Sequence, residues 1–326
     1  VKYLNILSGN WIAQKARAYY FGRCKLNVPE TPIDERDWVA PEGPAGADDT
    51  DAKEFSRRDL TPSVKNQGAI GSCVGHSGRV VYGSAEEFKD KEPSAMWIYK
   101  KGQTYDPWDG EDYSGTTIKG ACKGLVKEGC CEEKYWPDLR KEDAPMLPGA
   151  AENAAEYKIK RYYVIYKGNT DKIKETLLKE PLWTALKVRK HFFKTDSTGI
   201  VDSEKYLASE VAGGHAVAMI GWKEIDGKLY WEFQNSWGWW FGDKGHFFME
   251  DSLYQKVIMN SIGPYFIDVE SEHPKPGPKP DPKPDPKPDP KPDPKPEPKI
   301  KGKKKVLLVS LAVVIAWLIL NEVLSK

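Results

Sequence analysis

Apolar residues along this chain change their period partway through. In GTTIKGACKGLVKE, residues 115–128, Ile118, Ala121, Cys122, Leu125 and Val126 fall three and four apart, which predicts an amphipathic helix. The stretch CVGHSGRVVYGSAEEF, opening at Cys73, is compatible with a second helix. Asp171 to Lys179 predicts a short third one, capped by Thr170 or Asp171. Later segments are short and rich in aromatic and β-branched residues. YKIKRYYVIY, LWTALKV, HAVAMIGWKEI and KLYWEFQNSW predict strands. Asp226-Gly227, between the last two, predicts a hairpin turn. Helices ahead of strands predict an α+β protein with a helical half and a sheet half.

The pattern fails at both ends. Residues 1–52 form a leader with no clear period, and PEGPAGADDTDAKE reads as loop running into a domain of residues 53–272. The start, VKYLNILSGNWIAQKARAYYFG, has no secretory h-region or small-residue cleavage site. It predicts a basic amphipathic helix, or an arm packed on the domain. In residues 273–300 proline takes every second position from Pro274 to Pro298, mostly between Lys and Asp. Such spacing forbids helix and sheet ladders and predicts a polyproline-II rod, ~75 Å long at ~3.1 Å per residue. Its regular charges suit a solvated spacer better than a ligand for proline-recognising domains.

Residues 301–326 begin with Lys301, Lys303, Lys304 and Lys305 and continue as VLLVSLAVVIAWLIL over 306–320. As a helix that run covers ~22 Å, and ~28 Å if extended to Leu324, against a ~30 Å hydrocarbon core. With a rod separating it from any core, the expectation is a single-pass C-terminal membrane anchor in a lipid bilayer. The lysines before it place the larger part of the chain on the cytoplasmic, or virion-interior, side.

Charge narrows the function. Forty-nine basic and 48 acidic residues leave a formal charge of +1, so the chain as a whole is no electrostatic nucleic-acid binder. The five cysteines are Cys24, Cys73, Cys122, Cys130 and Cys131. An odd count in 326 residues is no disulfide scaffold, and without C-x-x-C pairs neither a zinc site nor any other cofactor is expected.

The chemistry-bearing stretch is NQGAIGSCVGHS, residues 66–77, with Gln67 six residues before Cys73. A helix N-terminus and a nearby imidazolium both lower a thiol's pKa, and small residues give a substrate room to approach the sulfur. A lone cysteine would more often be an inert core thiol. Downstream, however, GGHAVAMIGW puts His215 at the start of one predicted strand, and Asn235 lies at the end of the next. A hairpin could set those two side by side. His76, three residues after Cys73, is a rival base. No carboxamide motif accompanies it, and His191, His246 and His273 have no motif at all.

Three motifs, VKNQGAIGSC, GGHAV and QNSWGWWFGDKGHFFM, in this order and spacing, resemble the papain-family (C1-type) cysteine peptidases, closer to their bacterial and viral branch than to plant or lysosomal enzymes. The resemblance covers roughly residues 55–255, and the 142 residues from Cys73 to His215 fit it. It implies a two-lobed papain-like fold, a helical lobe and an antiparallel barrel-like lobe with a cleft between them. It also implies roles: Cys73 as nucleophile, His215 as base, Asn235 holding the ring, Trp237 covering that hydrogen bond, and Gln67 with the Cys73 N–H stabilising the oxyanion. Ser114 and Gly115 would offer backbone to an extended polypeptide substrate, Gly214 would flank it, and Ala185 would line an apolar specificity pocket.

The chain departs from the family pattern in places. Ile70 stands where many members have a disulfide cysteine. Val74 replaces the usual tryptophan, and Gly75 stands where alanine is common, which predicts a less packed helix start. The leader is short for an inhibitory propeptide and lacks its pattern, so none is expected. The reading is a membrane-tethered thiol endopeptidase. The alternatives are a non-catalytic papain-fold binding or structural module, and an amidase or transferase acting on cell-wall peptides.

Overall fold

In the computed structural model the described residues are 19–30, 39–40, 48–85, 88, 91–106, 114–259 and 263–268. At its centre a buried helix, α1 (Cys73–Gly83), presents almost no surface to water, every residue from Cys73 to Tyr82 being buried. Such a helix is expected to be apolar or small all round; CVGHSGRVVYG is so except at His76 and Arg79, which are buried beside Asp138 and Glu92. Its glycines set the packing. A Cβ on Gly75 would overlap the carbonyl oxygen of Ala95, so the backbone of α2 (Ala95–Tyr105) lies directly on α1. The helix start is therefore tightly packed, not loosely as the departure from alanine predicts. A Cβ on Gly78 would lie 2.5 Å from the Trp183 ring, whose Nε1 donates to Ser77 Oγ at 2.8 Å.

The helical side is completed by α3 (Ile118–Glu128) and the short α4 (Ala150–Ala155). Thr117 caps α3 by accepting from the Gly120 N–H. The sheet side holds β1 (Glu54–Ser56), β2 (Arg161–Val164), β3 (Leu182–Arg189), β4 (Val211–Ile225), β5 (Lys228–Gln234), β6 (His246–Glu250) and β7 (Tyr265–Asp268). The order is β2-β7-β3-β4-β5-β6, with β1 also on β4, and every pairing is antiparallel. Helices α5 (Thr170–Lys179), α6 (Ser203–Ala208) and α7 (Asp251–Val257) accompany the sheet. The α+β architecture, a helical side against an antiparallel sheet, thus agrees with the sequence.

Local expectations fare unevenly. The hairpin turn is present, with Asp226 and Gly227 at φ 51° and 73°, the left-handed pair a tight turn needs. The α5 cap is Asn169, whose side chain accepts from the Lys172 N–H, not Thr170 or Asp171. Helix α2 and strands β6 and β7 carry no strong sequence signal. The leader joins the domain: Val39 pairs with Val164, and Phe21 is buried in the sheet-side core. Among the described residues no helix is long and apolar enough to cross a membrane. The expected rod at 273–300 and anchor at 301–326 lie outside the described residues.

Gly75→Ala should test the helix contact. Alanine gains up to about 1 kcal/mol of helix propensity, but the overlap with a backbone carbonyl should outweigh it by about 1–3 kcal/mol. Thermal unfolding should show a lower Tm; an unchanged or higher Tm would mean the two helices separate freely.

Candidate active site

Cys73 is the first residue of α1, at the positive end of the helix, and is fully buried. His215 sits on β4 opposite Leu186 of β3, and Asn235 immediately follows β5, which pairs with β4 through Ala218 and Gln234. That hairpin brings the two side chains together: His215 Nε2 is 2.7 Å from Asn235 Oδ1. The same oxygen accepts from the Ser236 N–H at 2.8 Å, which fixes which face of the amide meets the ring. His215 Nδ1, the other ring nitrogen, has no partner among the described residues. The Cys73 sulfur lies by the Ala216 N–H, next in sequence to His215.

Trp237 covers this bond. Its ring centroid is 4.7 Å from that of His215, tilted by 32°, and its far side meets Phe192 and Phe193. The Gln67 loop is tied to the same segment by backbone bonds from the Gln67 N–H to Ser236 O and from the Gly238 N–H to Lys65 O. Ser236 Oγ donates to Gln67 Oε1 at 2.6 Å, which turns the Gln67 Nε2 outward. The motif QNSW contains Ser236, but only the folded loop reveals it as the residue that orients Gln67.

The expected substrate-side residues also assemble. Ala185 is buried on β3 opposite Ala216, and Gly214 lies against Met259. The Gly115 N–H donates to Tyr99 Oη at 3.2 Å and its carbonyl accepts from Gln103 Nε2 at 3.2 Å, so side chains of α2 already hold this backbone. His76, the rival base, lies beside Asp138, its Nε2 3.3 Å from Oδ2. His246 is buried beside Asp243, and His273 is outside the described residues. All five thiols are free, and among the described residues no cluster of potential ligands could hold a metal.

Residues 24–28 of the leader run through this site. Gln67 Nε2 donates to the Lys25 carbonyl at 3.3 Å as well as to Ile70 O at 2.8 Å. The Lys25 oxygen thus occupies the place the resemblance gives to an oxyanion. Leu26 and Asn27 lie so close to Gly213 and Gly115 that a Cβ on either glycine would overlap them, and the Val28 N–H donates to Gly214 O at 3.2 Å. Val28 belongs to the buried apolar cluster of Ala185, Ala216 and Met259. Phe21 stacks on Trp237 at 6.0 Å. Gly115 has φ 128°, a conformation suited to glycine, where the leader needs the missing Cβ. An arm packed on the domain was expected; its course through the cleft was not.

This covering has an electrostatic effect. Burial pushes the Cys73 thiol up to about 11, opposed by the N–H groups of Ala216, Val74 and Cys73 itself. Burial brings His215 down to about 4, against the favourable bond to Asn235. Burial also raises Cys24, within the electrostatic reach of Cys73, to about 12. With the cleft covered, Cys73 and His215 are both neutral at pH 7.

The chain matches the description "Papain family cysteine protease" over residues 47–263 and belongs to that family. It is 30% identical over 192 residues to Peptidase 1 of Psoroptes ovis, covering 58% of this chain and 57% of that protein. It is 27% identical over 220 residues to cathepsin B-like cysteine proteinase 3 of Caenorhabditis elegans, covering 56% of each. The chain thus spans a little over half the length of these curated relatives. Among solved structures, xylellain, a cysteine protease from Xylella fastidiosa, superposes with a TM-score of 0.64 at 22% identity, over 76% of this chain and 97% of that one. At that identity the likeness speaks for the fold alone.

Loosening the leader should expose the thiol. Phe21→Ala with Val28→Asp removes the stack and puts a carboxylate in an apolar pocket, which should expel the segment. Because burial holds the thiol neutral below pH ~11, alkylation of Cys73 by iodoacetamide at pH 7 should be slow in the wild type. It should quicken by about tenfold or more in the double variant. Equal rates would show that the leader does not control the sulfur.

Proposed function

We propose that the chain is a thiol peptidase that hydrolyses peptide bonds through Cys73, His215 and Asn235, held near a membrane by residues 301–326. The observation that carries the catalytic part is the 2.7 Å contact between His215 Nε2 and Asn235 Oδ1, buried under Trp237 beside a cysteine at a helix N-terminus. Asn235 fixes the tautomer with the proton on Nε2, which leaves the Nδ1 lone pair to accept the thiol proton.

The steps follow from these positions. Once the leader has left and the cleft is hydrated, Cys73 passes its proton to His215 Nδ1, and the thiolate attacks the substrate carbonyl carbon. The π pair moves to oxygen, where Gln67 Nε2 and the Cys73 N–H stabilise the charge. Collapse breaks the C–N bond, and the amine leaves with the His215 proton. Water then attacks the thioester as His215 takes its proton; the second collapse expels the sulfur and releases the acid. Substrate in the leader's place would lay backbone along Gly213-Gly214 and Ser114-Gly115, with an apolar side chain where Val28 sits near Ala185.

In the chain whose leader is released by Phe21→Ala and Val28→Asp, Cys73→Ala or His215→Ala should abolish cleavage of a fluorogenic peptide with an apolar residue at the pocket position. Gln67→Ala should lower kcat about 10²–10³-fold with little change in KM. An epoxide peptide should label Cys73, located by mass spectrometry, only when His215 is present. Cys73→Ala retaining full cleavage, or Cys73 labelling without His215, would overturn the reading.

The tether rests on the charge and length of residues 301–326. An anchor raises the effective concentration of substrates on the same membrane. Removing residues 274–326 should slow cleavage of a membrane-bound substrate while leaving a soluble peptide's cleavage unchanged. Equal effects on both would refute the tether.

A further inference from the structure

The motif around Cys73 leaves one residue unused. His76 is three positions along α1, 2% exposed, and takes no part in the chemistry above. Its Nε2 lies at ion-pair distance, 3.3 Å, from Asp138 Oδ2, and the two side chains are 1% and 7% exposed. His76, Gln234 and Asn235 together line a cavity of about 10 Å³, roughly the room for one water. Each brings a buried polar atom that has no hydrogen-bond partner among the described residues, His76 Nδ1, Gln234 Oε1 and Asn235 Nδ2; His76 Nε2, at ion-pair distance from Asp138, and Nε of Arg79, which also lines the cavity, likewise make no hydrogen bond there. Gln234 Nε2 is already committed to Pro62 O at 2.8 Å, and Asn235 Oδ1 to His215 and the Ser236 N–H.

We propose that His76 and Asp138 form a buried pair that positions Asn235 through one bridging water, and so sets the orientation of His215. The role rests on the peptidase reading above. The hydrogen count closes. Asp138 keeps the His76 proton on Nε2, leaving a lone pair on Nδ1. Asn235 Nδ2 donates to the water, and the water donates to His76 Nδ1 and Gln234 Oε1. Nδ1 of His76, Oε1 of Gln234 and Nδ2 of Asn235 are then satisfied, and turning the Asn235 amide over would break the set at both ends. His76 is thus a positioning residue, reaching the reacting atoms only through Asn235.

The charges around it suit a neutral ring. Besides Asp138, His76 feels Arg79 on its own helix, Lys65 on the segment before it and His215 on β4. Glu92 pairs with Arg79 and, at 3.2 Å, with Lys65; Glu133 also pairs with Lys65. Burial holds His76 below the usual imidazole range despite Asp138 beside it, so at neutral pH its Nδ1 accepts.

The test uses the full chain, its leader released by Phe21→Ala and Val28→Asp, with two further substitutions. His76→Phe replaces the acceptor with an apolar ring of similar size. Asp138→Asn keeps the shape but can donate to Nε2, which moves the His76 proton to Nδ1 and removes the acceptor there. With histidine ring nitrogens labelled, the His215 Nε2–H should exchange with water about tenfold faster in both variants. Turnover per site titrated by the epoxide peptide should fall about tenfold with KM nearly unchanged. The basic limb of the kcat/KM profile should move to lower pH, because a poorly held imidazolium loses its proton more easily. A variant that only loosens the fold would lower the Tm and the number of titratable sites but leave these per-site quantities unchanged, and that result would overturn the proposal. So would wild-type exchange at His215 in Asp138→Asn if His76→Phe fails to fold. The exchange measurement also separates this proposal from the peptidase reading: a chain without turnover would defeat that reading, while the ring signal still decides the role of His76.

Discussion

The hydrogen bond between His215 and Asn235 is the constraint around which the rest of the molecule is arranged. It needs two strands in one register, β4 carrying the ring and β5 delivering the amide, and it needs to be dry. Trp237 supplies the cover, and the aromatic cluster of Phe192, Phe193, Phe241 and Phe247 holds Trp237 in place. That cluster is also part of the core of the sheet side. The residues that stabilise the fold and those that shelter the bond are therefore largely the same, and disturbing one function disturbs the other.

The other side of the site is built by close backbone approach. Gly75 and Gly78 let α2 and Trp183 press onto α1, which fixes the N-terminus that carries Cys73. Gln67 reaches its position through the Ser236 and Trp237 loop, so the amide that faces the cleft is aligned by the same segment that carries Asn235. Helix start, amide and imidazole thus meet at one point because three separate elements are locked together, with little freedom left to any of them.

Burial then sets the chemical state. A thiol and an imidazole taken out of water both favour their neutral forms, and the leader across the cleft completes that burial. The leader reaches the cleft through main-chain contacts at Gly115, Gly213 and Gly214, residues that leave room for any extended chain. The surface proposed for a substrate is for that reason one that the protein's own leader can fill.

Much of this was written in the sequence as residue types at set separations. Gln67, Cys73, His215 and Asn235 stand out because a small-residue turn precedes a helix and a histidine and an asparagine end up on neighbouring strands. Alternation and turn chemistry, as at Asp226-Gly227, depend only on near neighbours, so they too can be read directly. Helix α2 and strands β6 and β7 escaped because their apolar residues are buried on several sides and lose a clean period. The α5 cap went to Asn169 because several side chains nearby could have served. Whether Gly75 loosens or tightens a helix depends on Ala95, twenty residues away. The orientation of Gln67 depends on Ser236, the seat of Val28 on Ala185 and Met259, and the surroundings of His76 on Asp138 and Asn235. The sequence by itself determined which groups could react. Tertiary structure alone decided which of them meet, which stay dry and neutral, and what lies across them, because those properties are set by distances between segments far apart in the chain.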